Sequence, residues 1–478
     1  MNYRIIFFTI GKVLLAEAGL LLLPLLVALY YRESCAWALL ASMLIAAALG
    51  GALLLLRPRE RRLFGREGCV IVALAWVLLS AVGALPFRLS GEIPSYVDAL
   101  FETVSGFTTT GASILMDVER LSRGLLFWRS FTHWVGGMGV LVFVTMLSGN
   151  SNCSMTILRA EMPGPVVGKL TPRTRDTARV LYLIYLGFTV LLIVLLLLGG
   201  MSPFDSAVHA FGAVGTGGFG IKADSVTSYS PYIQWVLTIF MLLCGVNFNL
   251  YFLLLARQGR QALRSDELWA YLGVVAVASG IIALDLRDVY GGAGDCLRHA
   301  AFQVSSVITT TGYATADFDR WPGLSRAILF ALLFLGGCAG STAGGLKVSR
   351  AVILWRIIRR EVGRVVHPRR VDCVRCDGTA LSGRVQRSVC IYFALYSLCI
   401  LLTFLLISGE PFSLETNLSA AVTCFNNVGP GLGAVGPAGS FAGYSAGAKL
   451  LLSFAMLLGR LEIYPMLVAL SPSVWRKL

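Results

Sequence analysis

Long apolar stretches alternate along the chain with polar connections, and the apolar segments come in two lengths. Val180 to Leu198, Trp235 to Leu255 and Val389 to Ile407 have the roughly 20 apolar residues that cross a bilayer as helix. Shorter segments of about 12 residues, such as the one holding Asp98 to Phe107, would reach only about 18 Å as helix, so they enter half a bilayer and must return. The order long, short, long recurs four times. It predicts full helices at 69–87 and 125–147, 178–199 and 232–256, 268–286 and from 324 onward, and 388–408 and 447–470. Ahead of them, helices at 5–30 and 36–56 form a hairpin about Tyr31-Arg32-Glu33-Ser34. The chain then divides into an N-terminal hairpin (1–68) and four repeats (69–178, 179–266, 267–383, 384–478).

Each short segment runs into a glycine loop. Thr108-Thr109-Thr110-Gly111 and Thr309-Thr310-Thr311-Gly312 match literally; Gly215-Thr216-Gly217-Gly218 and Asn426-Asn427-Val428-Gly429 match loosely. Asp98 and Asp205 each lie thirteen residues before their aligned glycines, Gly111 and Gly218, a register that favours duplication. Non-helical backbone survives at membrane depth only where protein shields it or water meets it. Glycine and small neighbours let backbone approach an axis, so the four loops are read as lining a narrow cation passage with carbonyl oxygens. The last full helix of repeat three is expected to break at Gly336-Gly337-Cys338-Ala339-Gly340-Ser341-Thr342-Ala343-Gly344-Gly345-Leu346-Lys347. Its five glycines in ten residues each cost roughly 1 kcal/mol in a helix interior. The break lies on the far side of the loops, where a flexible segment could block the passage. Arg460, inside an apolar run, either faces the protein interior or snorkels to the inner surface beside Glu462.

With 56% hydrophobic and 14% charged residues over 478 positions, the chain is an integral membrane protein and not a soluble enzyme. Its net charge of +14 therefore reports topology and lipid contact and not nucleic acid. The bases occupy alternate connections: Arg57 to Arg66, Arg159 to Arg179, Arg257 to Arg264 and, most densely, Arg356 to Arg387, all placed in the cytoplasm by the positive-inside rule. The other connections hold Asp98, Glu102, Asp117, Asp205, Asp224, Asp295, Asp317, Glu410 and Glu415, predicting loops that enter from outside beneath an acidic vestibule. Scattered cysteines such as Cys244, Cys338, Cys390 and Cys399 read as small buried hydrophobes, and Cys373-Val-Arg-Cys376 is a lone CxxC, a weak metal or redox signal. Arg4 precedes an apolar run interrupted by Glu17, read as a retained anchor.

Several motifs in order then resemble the TrkH/TrkG branch of the Trk/Ktr/HKT potassium transporters over nearly the whole chain. They are Gly106 to Ala112, Trp134 to Gly139, Arg159 to Pro165, Leu170 to Arg173, Gly340 to Gly345, Asn427 to Gly431 and Gly459 to Ile463. The resemblance implies an all-α membrane protein of four helix/pore-helix/helix repeats around a single pore, plus the two extra N-terminal helices. It implies potassium as the transported ion with no organic cofactor in this chain, a homodimer, and a cytosolic TrkA-type nucleotide-binding ring. It also implies the bacterial inner membrane, with both termini cytoplasmic. The family's filter falls on Thr109, Thr110 and Gly111; Thr216, Gly217 and Gly218; Thr310, Thr311 and Gly312; and Asn427, Val428 and Gly429. Its gating loop falls on Gly336, Gly337, Gly340, Ser341, Thr342, Gly344, Gly345 and Lys347, with Arg460 close by. Gly220 departs from the pattern, where serine is expected after Gly217-Gly218-Phe219.

Two rival readings stay open at this level. Sodium- or proton-coupled symport would place midplane sites at broken helices, although these repeats run parallel where many such carriers are inverted. An intramembrane hydrolase would use Ser341 as nucleophile and needs one of His133, His209, His299 or His367 beside it as base.

Overall fold

The computed structural model describes residues 1–58, 64–139, 174–368 and 372–475. The basic residues at 59–62 and 159–173, the end of the helix expected at 125–147 and the motifs Arg159 to Pro165 and Leu170 to Arg173 lie outside the described residues. Within them the protein is all-α, apart from a two-residue ladder pairing Arg375–Cys376 with Thr379–Ala380. Among the described residues six helices are long and apolar enough to cross a membrane, or seven if one bent pair counts as a span. This is a multi-pass membrane protein.

The N-terminal hairpin pairs a span built of Tyr3–Leu20 and Leu22–Tyr30 with Ala36–Leu54. The first span is jointed at Leu21 because Pro24 has no N–H to continue the ladder. Gly11 and Gly50 let the two backbones touch, since a Cβ on either would lie 2.8 or 2.9 Å from the other's carbonyl oxygen.

Four units follow, each a full helix, a short helix, a loop and a second helix. The full helices are Gly65–Gly83, Thr174–Leu198, Asp266–Asp285 and Gly383–Ile407. The short ones are Tyr96–Phe107, Pro203–Val214, Ala293–Ile308 and Leu414–Asn426. Ser95, Ser202 and Ser413 start three of these by accepting the N–H of the third residue onward, at 3.4, 3.1 and 3.2 Å. The third starts at Gly292 without a side-chain cap and is the longest, at 16 residues. Asp98, Asp205, Asp295 and Glu415 sit in the first turns, where a negative charge suits the helix dipole.

The second helix of one unit packs on the short helix of the next: one on two, two on three, four on one. Unit three reaches unit four through Arg326, 2.5 Å from Glu415, and Asp319, which accepts the Gly433 N–H at 3.2 Å. Lys449 closes the circle on Asp98 at 2.7 Å.

The second helices depart from expectation. The helix predicted at 232–256 is two, Pro231–Cys244 and Phe248–Leu255, meeting at 89° across Gly245-Val246-Asn247. Asn247 caps the new start by accepting the Asn249 N–H at 2.9 Å. The helix predicted at 447–470 also splits, into Ala446–Arg460 and Tyr464–Leu470, with Glu462 and Ile463 at φ 53° and 67°. Pro465 suits a first helical turn, which favours a fresh start there over continuation. The break expected in repeat three is present between Gly323–Leu332 and Val348–Val366. Interruption is thus shared by the second helices of units two, three and four and is not a peculiarity of repeat three.

Candidate functional site: the loop ring and the segment beneath it

Every short helix ends in the same closure. Thr110, Gly217, Thr311 and Val428 donate their N–H to the carbonyl five residues back, on Ser105, Gly212, Ser306 and Thr423, at 2.8, 2.8, 2.8 and 3.0 Å. The residue before each donor is left-handed: Thr109 at φ 55°, Thr216 at 55°, Thr310 at 54° and Asn427 at 57°. This is the Schellman closure of a helix C-terminus. A β-branched threonine held there costs on the order of 1–3 kcal/mol, whereas Asn427 adopts the conformation readily. The next glycines, Gly111, Gly218, Gly312 and Gly429, carry φ of 79°, 79°, 86° and 97°.

These closures interlock. A Cβ on Gly111 would lie 2.1 Å from the Gly217 carbonyl oxygen, and one on Gly218 2.0 Å from that of Thr311. On Gly312 it would lie 2.4 Å from the Val428 oxygen, and on Gly429 2.6 Å from that of Thr110. The contacts run from loop one to two, three, four and back to one, so the four loops that hold the twelve residues singled out form one closed cycle. The carbonyls met in that cycle belong to equivalent residues: Thr110, Gly217, Thr311 and Val428. Four helix C-termini end there, each worth roughly half a negative elementary charge. Such a ring could replace the water shell of an alkali cation without the full charge that would trap it. Hydroxyl pairs brace it: Thr108 with Thr110 at 2.8 Å and Thr309 with Thr311 at 2.7 Å, while Asn427 Nδ2 donates to Thr110 Oγ1 at 3.0 Å.

Six of the nine acids expected at an outer vestibule are paired with bases. Asp98 is paired with Lys449, Glu102 with Arg129, Asp117 with Arg120, Asp295 with Arg298, Asp317 with Arg320 and Glu415 with Arg326. Glu410 accepts the N–H and hydroxyl of Ser445. A base at contact distance cancels most of an acid's field beyond a Debye length, which reverses that expectation for the paired residues.

On the other side of the ring lies the glycine-rich segment. The Gly344 N–H donates to Thr310 Oγ1 at 2.7 Å, and a Cβ on Gly344 would be 2.4 Å from the Asn426 carbonyl oxygen. The segment folds back on itself at Gly336, Gly340 and Gly345, with φ of 75°, 74° and 74°, and Gly337 lies against Ala343. Arg460 faces inward and does not snorkel. It donates to the Thr342 carbonyl at 2.8 Å and to those of Gly136 and Gly137 at 2.5 and 2.9 Å. Lys347 donates to the Ala343 carbonyl, and Arg350 pairs with Glu462.

Glu267 was not singled out from the sequence. Its Oε1 accepts the N–H of Ala339 at 2.6 Å and of Ser349 at 2.9 Å, tying both ends of the break to the full helix of its unit. A carboxylate at the mouth of an apolar helix was the available signal.

Ser341 lacks the neighbour a nucleophile needs. Its hydroxyl donates to the Cys338 carbonyl at 2.6 Å. His133 contacts Gly106, His209 contacts Asp205, His299 contacts Thr315, and His367 is exposed. Cys373 is exposed; Cys376 sits with its ligand atom within 4.8 Å of those of Asp266 and Asp377, whose carboxylates accept each other's backbone N–H.

The chain matches a family model described as TrkH, cation transport protein, over residues 37–274 and 291–477. It is 38% identical over 486 residues to the Trk system potassium uptake protein TrkH of Salmonella typhimurium, covering 100% of both chains. It is 36% identical to the Trk system potassium uptake protein TrkG of Escherichia coli, covering 95% of this chain and 94% of that one. The crystal structure of the potassium transporter TrkH from Vibrio parahaemolyticus superposes with a TM-score of 0.90 at 34% identity, covering 100% of both.

Proposed function

The chain belongs to the TrkH family of cation transport proteins, and from that premise we propose that it is a potassium uptake protein of a Trk-type system. It acts in the bacterial inner membrane with both termini cytoplasmic, and the ring of loop carbonyls is its selectivity filter. The observation that carries this reading is the closed cycle of contacts from Gly111, Gly218, Gly312 and Gly429 to the carbonyls of Gly217, Thr311, Val428 and Thr110. An entering ion exchanges part of its hydration for those oxygens, helped by four converging helix C-termini.

The glycine-rich segment is the gate. It rests on the filter through Gly344 and Thr310, and Arg460 holds it to the second helix of repeat one. A cytosolic nucleotide-binding ring, acting on a homodimer, moves Val348–Val366 and withdraws the segment. The support is continuity: that helix starts one residue after Lys347 and carries Arg356, Arg359, Arg360 and Arg364 beyond the membrane-facing part.

The test is rubidium uptake in cells lacking their own potassium transporters. A serine at Gly312 would place Cβ 2.4 Å from the Val428 oxygen at φ 86°, so Gly312→Ser should abolish the preference for rubidium over sodium. Unchanged preference removes the filter assignment. Coupled symport is the second reading, favoured by the interrupted second helices of units two, three and four. Rubidium uptake that requires sodium or a proton gradient would select it.

A further inference from the structure

Nine residues before the loop glycine, the four units carry Glu102, His209, Gln303 and Ala420. Register makes these one position on the short helices, and its chemistry differs in every unit. Only Glu102 brings a charge there, and it does not bring it alone. Its side chain is 0% exposed and that of Arg129, on the second helix of unit one, 3%; Arg129 Nε lies 2.6 Å from Glu102 Oε1.

This pair reaches both loops at their exits from the ring. Glu102 accepts the Ser113 hydroxyl at 2.9 Å and the Ile114 N–H at 3.0 Å, just past Gly111. Arg129 Nη1 donates to the Gly220 carbonyl at 3.1 Å, just past Gly218, and its guanidinium stacks 3.4 Å over the ring of Phe219. The Phe219 ring lies 4.1 Å from that of His133, which contacts the Gly106 carbonyl at 2.7 Å. At the same position His209 Nε2 and both amide atoms of Gln303 are buried without a partner among the described residues.

We propose that Glu102 and Arg129 are positioning residues for ion selectivity, clamping the exits of loops one and two and fixing the spacing of the carbonyl ring along that seam. The proposal rests on the ring being the filter. The clamp is charge-neutral as built: Glu102 cancels a guanidinium that would otherwise repel cations from behind the carbonyls. It needs the flat, forked guanidinium, because one edge meets the carboxylate, another the Gly220 carbonyl, and the face meets Phe219.

Arg129→Lys keeps the charge opposite Glu102 but loses the fork and the stacking. In rubidium and sodium uptake by the full-length protein, its rubidium preference should fall about tenfold, equivalent to about 1.4 kcal/mol. Phe219→Leu leaves the ion pair intact and should lower the preference in the same direction by less. If Arg129→Lys fails to assemble, Phe219→Leu decides. Lowered preference in an assembled variant supports the clamp. Wild-type preference in every variant that assembles, whatever the thermal midpoint, overturns it and leaves a structural staple. Failure of the filter reading looks different, because there Gly312→Ser would also keep wild-type preference.

Discussion

The loop ring and the second helices belong to the same four units, yet one is nearly fourfold and the other is not. In the ring, Thr110, Gly217, Thr311 and Val428 make the same hydrogen bond five residues back, and four glycines meet four carbonyls in turn. In the second helices, one bends by 89° at Gly245, one dissolves over 333–347 and one restarts at Tyr464. The ring is an interlocked object, so a change in one loop disturbs its neighbours. The second helices meet different partners, such as Glu267 in one unit and Arg460 in another, so each can take its own shape. Under the proposed function, selection of an ion asks for the first property and control of flow for the second.

The sharpest way to break this comparison is to add one methyl to the ring. Gly218→Ala would set Cβ 2.0 Å from the Thr311 oxygen at φ 79°, and rubidium uptake should fall tenfold or more, about 1.4 kcal/mol in the barrier. Gly273→Ala, at a glycine with open space around it, should leave uptake unchanged in the same assay. Replacing residues 338–345 by a shorter linker should instead raise potassium flux several-fold and remove nucleotide control, since a barrier is taken away and the ring left intact. Unchanged flux would remove the gate assignment.

A finer contrast sets two ring threonines against each other. Thr310→Val loses the hydroxyl that receives the Gly344 N–H, a bond worth about 1 kcal/mol, and basal flux in proteoliposomes should rise up to about fivefold. Thr109 is held at the same φ, but its hydroxyl has no partner among the described residues, so Thr109→Val should leave basal flux alone. Equal effects at both positions would mean the gate does not lean on Thr310.

The smallest expected effect comes from restoring the serine that the family pattern led us to expect at Gly220. A Cβ there meets only His209 Nε2 at 3.5 Å and Tyr313 at 3.8 Å, so a serine hydroxyl can reach the unpartnered ring nitrogen. Gly220→Ser should stabilise the protein by about 0.5–1 kcal/mol, read as a higher thermal midpoint, with ion preference intact.

Local rules are what the sequence by itself determined: long and short apolar segments, serine caps, and a glycine following a left-handed turn, all settled by residues within about five positions of one another. The Thr-Thr-Gly runs and the glycine-rich break near 336–346 were legible for that reason. Tertiary structure alone decided which carbonyl each glycine meets, that six of the nine acids expected outside are paired with bases, and that Arg460 turns inward to Gly136, more than three hundred residues away in the chain. It also joined Glu102 to Arg129 and Arg129 to Gly220, a contact 91 residues long. The physical reason is that a buried charge takes whatever partner the packed helices bring within reach, and that choice is written in no single segment.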